Sequence, residues 1–160
     1  MASVQTAKLV SYPWSDLFNL VLDVQSYPEF VPHCREVRLL SRSVKELGVT
    51  IIVSRMTVGF LAFEVGYSNR TTGDLFGRRI SVEALDGPMR YLNACWRFEP
   101  QDEGHTQVHF SVSYEFSNPL LAVVASRVFT AMFAEIIDAF ERRAAKLSRN
   151  RTLTATGQGR

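Results

Sequence analysis

Histidine and cysteine stand side by side at His33-Cys34, the two residue types that a thiolate nucleophile and its general base require. Adjacent side chains in an extended chain point to opposite faces, so this pair does not converge on one reacting atom. His105 falls in a turn and His109 on the polar side of an alternating segment, and both are expected at the surface. Cys34 and Cys95 lack the spacing of a metal or redox motif; they read as small buried hydrophobes, with a disulfide between them left open. Carboxylates are scattered over helix ends and strand exteriors without an acid–base pair. The glycines sit singly in turns rather than in a phosphate-cradling loop. No catalytic residue, metal site or cofactor is expected, and the chain is not read as an enzyme.

What stands out instead is apolar bulk: eleven Phe, five Tyr, two Trp and four Met. These side chains could fill a close-packed core, or they could line a cavity that takes a lipophilic ligand. The cavity reading places Leu92, Trp96, Phe98, Phe110, Tyr114, Val128, Met132 and Phe133 between a sheet and a C-terminal helix.

Position falls to the elements. A weak alternation predicts a first strand over Ser3–Val10. Leu17, Phe18, Val21, Leu22 and Val24 then recur at helical spacing to about Gln25, and Pro28 and Pro32 leave room for one helical turn. From Cys34 the period becomes two. Strands follow with Val37 and Leu39; over Val49–Val58; with Leu61, Phe63, Val65 and Tyr67 on one face; and over Arg79–Leu85. Leu92, Ala94, Trp96 and Phe98 mark a sixth strand, and Val108, Phe110, Val112, Tyr114 and Phe116 a seventh. Short connections bearing Gly or Pro favour antiparallel pairing. Finally, Asn118–Leu147 carries two apolar ridges four residues apart. It starts with an N-cap asparagine followed by Pro119, and Arg142, Arg143 and Lys146 lie near its end. As one helix it would be about 43 Å long. The class is α+β, a curved antiparallel sheet gripping a long C-terminal helix.

A chain of 160 residues suits one domain, set at 1–148, with 149–160 as a disordered basic tail. The net charge of +2 is too small to argue for DNA as a partner. Six of the cations (Arg142, Arg143, Lys146, Arg149, Arg151, Arg160) crowd the last 19 residues, which suits a solvated helix end or a contact with anionic lipid or RNA. The turn expected at Gly59-Phe60 puts Phe60, Leu61 and Phe63 where a hairpin tip is usually polar. That marks a membrane or partner contact, unless the tip folds over the mouth of the sheet. The N-terminus shows no signal peptide, and the longest apolar run, Leu120–Ala125, is too short to span a bilayer. A cytoplasmic location with peripheral membrane contact is expected.

Three stretches resemble the coenzyme Q-binding START-domain family. Tyr27-Pro28-Glu29-Phe30-Val31-Pro32-His33-Cys34 is similar to its Tyr-Pro-x-Phe-[Leu/Val]-Pro-x-Cys segment. Gly87-Pro88-Met89-Arg90-Tyr91-Leu92 with Trp96-Arg97-Phe98 is similar to its Gly-Pro-Phe-x-x-Leu-x-x-x-Trp-x-Phe strand, and Tyr114-Glu115-Phe116 with Ala139–Ala144 completes the likeness over residues 3–148. Met89 replaces the usual Phe, and His33 stands where Trp is common. The resemblance implies a helix-grip (START-like) fold: a seven-stranded antiparallel sheet, two short helices after the first strand, and a long C-terminal helix. It also implies that ubiquinone or a similar isoprenoid is bound, by a chaperone that supports respiratory electron transport. Tyr114 and Tyr67 are then the candidates to hold the head group. A branch of the family is named for ribosome association as a toxin, which makes a ribosome-binding protein the alternative, supported here by the basic tail. The wider superfamily includes polyketide cyclases; a cyclase-like enzyme would need a buried acid or base that the sequence does not supply.

Overall fold

The computed structural model has seven strands: β1 (Ala2–Val10), β2 (Cys34–Lys45), β3 (Val49–Phe60), β4 (Phe63–Asp74), β5 (Arg79–Ala84), β6 (Met89–Asp102) and β7 (His105–Phe116). They pair antiparallel in the order β1-β7-β6-β5-β4-β3-β2. The structure describes residues 2–158, without the side chains of Phe60 and residues 152–158. Helix α1 (Trp14–Leu22) and a short 3₁₀ segment (Val24–Glu29) follow β1, and helices α2 (Pro119–Ala134) and α3 (Ile136–Gln158) follow β7. This is the expected α+β helix-grip.

The period of two decides which side chains the helices cover. Strand β7 buries Thr106, Val108, Phe110, Val112, Tyr114 and Phe116, while the residues between them stay partly solvated. Strand β6 does the same with Leu92, Ala94, Trp96 and Phe98. Gly87 precedes β6 at φ 93°, where its missing Cβ lets the backbone rest against Tyr67: a Cβ there would meet that of Tyr67 at 2.7 Å.

Two expectations need correction. The C-terminal helix is not one rod. It breaks at Glu135 (φ −102°, ψ 5°), and α2 and α3 meet at a bend of 48°. No proline or glycine stands at the break. The bend answers the packing, because a straight rod cannot keep both ridges against a curved sheet. On α2, Ala125, Val128, Phe129, Met132 and Phe133 are buried; on α3, Ile136, Ile137, Phe140 and Ala144 turn toward Tyr27, Phe30 and α1. The start is as read, since Asn118 Oδ1 accepts from the Leu120 N–H at 2.9 Å with Pro119 next in line. The second correction is the β3–β4 turn. Phe60 pairs with Phe63, so the turn is Leu61-Ala62, with Leu61 at φ 56°. Residue 148, the domain limit expected from the sequence, lies within α3 (Ile136–Gln158).

The two helices are fastened differently. Lys8 of β1 reaches Asp138 and Glu141 at 2.9 and 2.7 Å, and Arg143 bonds Glu29 at 2.9 Å while lying over the Phe30 ring. Helix α2 is tied by the Tyr114 hydroxyl, which meets Thr130 Oγ1 at 2.6 Å. Tyr114→Phe is expected to lower stability by about 1 kcal/mol, with no further loss when Thr130→Val is added. Urea midpoints of both single variants and the double variant measure this coupling.

Candidate ligand site

Five strands send inward side chains to one spot under the α2–α3 bend. Met56 comes from β3, Tyr67 and Asn69 from β4, Val82 from β5, Leu92, Ala94 and Trp96 from β6, and Phe110 from β7. Met132, Phe133, Ile136 and Phe140 roof them, and Tyr27 and Val31 close the side. The cavity is about 60 Å³. One water needs about 10–15 Å³ on this measure, so the space holds a few waters and not a substituted ring. Next to it, between α2 and the β3–β4 hairpin, lies an open groove of about 470 Å³ lined by His33, Phe63, Val123, Val124, Arg127, Val128 and Ala131. Helix α2 contributes to both, with Ala131 lining the groove and Met132 the cavity.

Of the residues singled out in the sequence, Leu92, Trp96, Phe110, Tyr67, Met132 and Phe133 come together around the cavity. Val128 faces the groove instead. Phe98 lies under α1, edge-on to Phe18 at 5.9 Å. Tyr114 is fully buried with its hydroxyl turned to α2, away from the cavity lining. At the hairpin, Leu61 is 78% exposed, Phe63 lines the groove, and the Phe60 side chain lies outside the described residues.

Sequence reasoning passed over the polar members. Asn69 is 3% exposed and its Oδ1 has no hydrogen-bond partner; Ser54, its direct cross-strand partner, is 1% exposed and its Oγ is also unpartnered. The signal was present. The inward alternation Phe63, Val65, Tyr67 continues one step to Asn69, and Ile52 to Met56 passes through Ser54. The Tyr67 hydroxyl donates only to the Met56 thioether, at 3.6 Å, a weak acceptor.

The titratable groups lining the cavity are Tyr27 and Tyr67. Burial holds both phenols protonated, far above their ordinary range; for Tyr67 a side-chain bond from Asn69 opposes this. No carboxylate, imidazole or amine is among the lining residues. His33 and Cys34 diverge, though not through extended chain: His33 stands in a turn at φ 65° and enters the groove, while Cys34 opens β2 and points into the core. Both cysteines are free thiols, and burial pushes Cys34 up to about 12. Folded protein at pH 8 should therefore resist iodoacetamide at Cys34, and mass spectrometry should find modification there only after unfolding. Linkage gives the same group a second readout. Its folded pKa is raised, so the stability it contributes is complete below the unfolded value of 9.0 and is lost as pH rises from there toward 12. Tyr27 and Tyr67 extend the loss above pH 10.

Comparison with known proteins places this geometry. The profile of the polyketide cyclase/dehydrase and lipid-transport family matches residues 10–141. A ribosome association toxin RatA of Vibrio cholerae is 31% identical over 144 residues, covering 90% of this chain and 96% of the relative. A mitochondrial coenzyme Q-binding protein COQ10 homolog B of Xenopus laevis is 25% identical, over 88% of this chain and 57% of that one. Among solved structures, an 18 kDa protein of Caulobacter crescentus is 34% identical with a TM-score of 0.72, covering 92% of this chain and 99% of its own.

Proposed function

We propose that this chain, which belongs to the polyketide cyclase/dehydrase and lipid-transport family, carries a lipophilic guest between its sheet and its C-terminal helices. The guest is ubiquinone or a similar isoprenoid, and the role is that of a quinone chaperone supporting respiratory electron transport. The observation that carries this reading is the apolar groove beside α2, together with a cavity under the same helix that is walled by aromatic rings and lined by Asn69, whose buried Oδ1 has no partner. Apolar burial at about 25 cal/mol per Å² supplies the binding energy, less the cost of association. The likeness to a protein named for coenzyme Q binding supports the choice of guest.

Peripheral contact with a membrane fits the same site. Leu61 at the hairpin tip and Leu120, Val123 and Val124 on α2 are all exposed, beside the groove's open side. Among the described residues no single helix is long and apolar enough to cross a membrane. Purified protein extracted with organic solvent should yield quinone by mass spectrometry, and added ubiquinone should quench Trp96 fluorescence. A clean extract together with unchanged fluorescence would sink the reading.

Ribosome association is the second reading. It rests on the relatives named for it and on the exposed basic stripe Arg142, Lys146 and Arg149 along α3. Co-sedimentation with ribosomal subunits at physiological salt, lost when these three residues become glutamine, would favour it.

A further inference from the structure

We propose that Ser54, Asn69 and Tyr67 form the pole that receives the oxygen-bearing ring of the guest, while its hydrocarbon tail leaves through the groove beside α2. This rests on the lipophilic-guest reading above and adds the guest's orientation and chemical class. Three observations carry it. Ser54 and Asn69 stand directly opposite each other across β3 and β4, the arrangement in which Cβ atoms lie about 4.5–5.5 Å apart, yet Ser54 Oγ and Asn69 Oδ1 are both buried without a partner. Tyr67, two residues away on the same face of β4, has only a thioether to donate to. Asn69 and Tyr67 both line the cavity among mostly apolar and aromatic side chains, and Ser54 stands next to them across the strand pair, outside the lining itself.

Buried polar atoms are nearly always satisfied, so two orphans on neighbouring strands call for an explanation. Together the three groups offer hydroxyl and amide donors and at least three acceptors, and the Asn69 amide can rotate to present either end. They therefore fit a ring bearing carbonyl, hydroxyl or methoxy oxygens, and nothing in them suits a carboxylate or phosphate head, which would need a cation. Two of the lining side chains, Met56 in the sheet wall and Met132 in the roof, are unbranched and able to swing aside, so a ring can enter where only a few waters now fit.

Displacement of bound N-phenyl-1-naphthylamine from the full chain tests the assignment with two competitors, decylbenzoquinone and decylbenzene, which share ring and tail and differ in the oxygens. Asn69→Leu is expected to weaken decylbenzoquinone about tenfold and to leave decylbenzene within about twofold. Its thermal midpoint should stay within a few degrees, the balance of removing a buried orphan against losing the Asn69 bond to Tyr67. Ser54→Ala, the smaller change, should weaken decylbenzoquinone several-fold with the fold intact, and it decides the matter if Asn69→Leu does not fold. Equal losses for the two competitors, or no loss for either, overturn the polar pole and leave the lipophilic-guest reading standing. If neither competitor displaces the probe from the unaltered protein, both fall.

Discussion

Phe129→Ala is expected to cost about 3–5 kcal/mol of folding stability, the range for deleting a buried aromatic ring. Phe129 has no exposed surface, and its ring centroid lies 5.9 Å from Tyr67, 6.0 Å from Tyr114, 5.4 Å from Phe116 and 5.9 Å from Phe133. These four rings stand on β4, on β7 twice and on α2, so one truncation opens a void where helix and sheet meet. A domain of this size has about 5–15 kcal/mol in total, and the variant should sit at the edge of folding at 37 °C. Urea unfolding measures it. Val124→Ala on the exposed side of the same helix is the control, expected within about 0.5 kcal/mol. A loss under about 1 kcal/mol at Phe129 would mean that α2 does not dock as described.

Ala94→Val should act in two opposite directions. Ala94 lines the cavity from a central strand, and two added methyl groups have roughly the right bulk for the space above it. At about 0.8 kcal/mol per buried methylene, and with valine's preference for strands, the guest-free protein should gain about 1–1.5 kcal/mol, a rise of roughly 3–5 °C in thermal midpoint. The same methyl groups take the room a ring needs, so affinity for a short-tailed ubiquinone should fall more than about tenfold. Calorimetry and probe displacement on one preparation read both. A fall in stability instead would indicate overpacking, and hence that the cavity is already filled.

How far the sequence reaches is clearest at particular residues. Val108 through Phe116 declared a half-buried strand by period alone, and Asn118-Pro119 announced a helix start that the Leu120 N–H confirms. The break at Glu135 left no such mark, because it arises from the curvature of a sheet assembled from distant segments rather than from a breaker in the local chain. Tyr114 shows a similar limit. Its inward direction was legible, but whether its hydroxyl would meet a guest or Thr130 depends on the azimuth of a helix that packs above it. Leu120 shows the converse limit: it shares the apolar ridge of α2, yet it is 81% exposed. Asn69 was within reach and needed only the alternation of β4 to be followed one step further. Cavity volume is a small remainder after large side chains have packed, and no count of aromatic residues yields it.

The bend at Glu135 has a kinetic consequence. A continuous helix must unravel from an end or move as a whole, but here the hydrogen-bond ladder is already interrupted between a segment clamped by ion pairs and a segment held by one hydroxyl pair and its apolar face. For the guest proposed above, the expected route of release is a swing of α2 about this break with α3 left in place, so its dwell time should follow local opening rather than global unfolding.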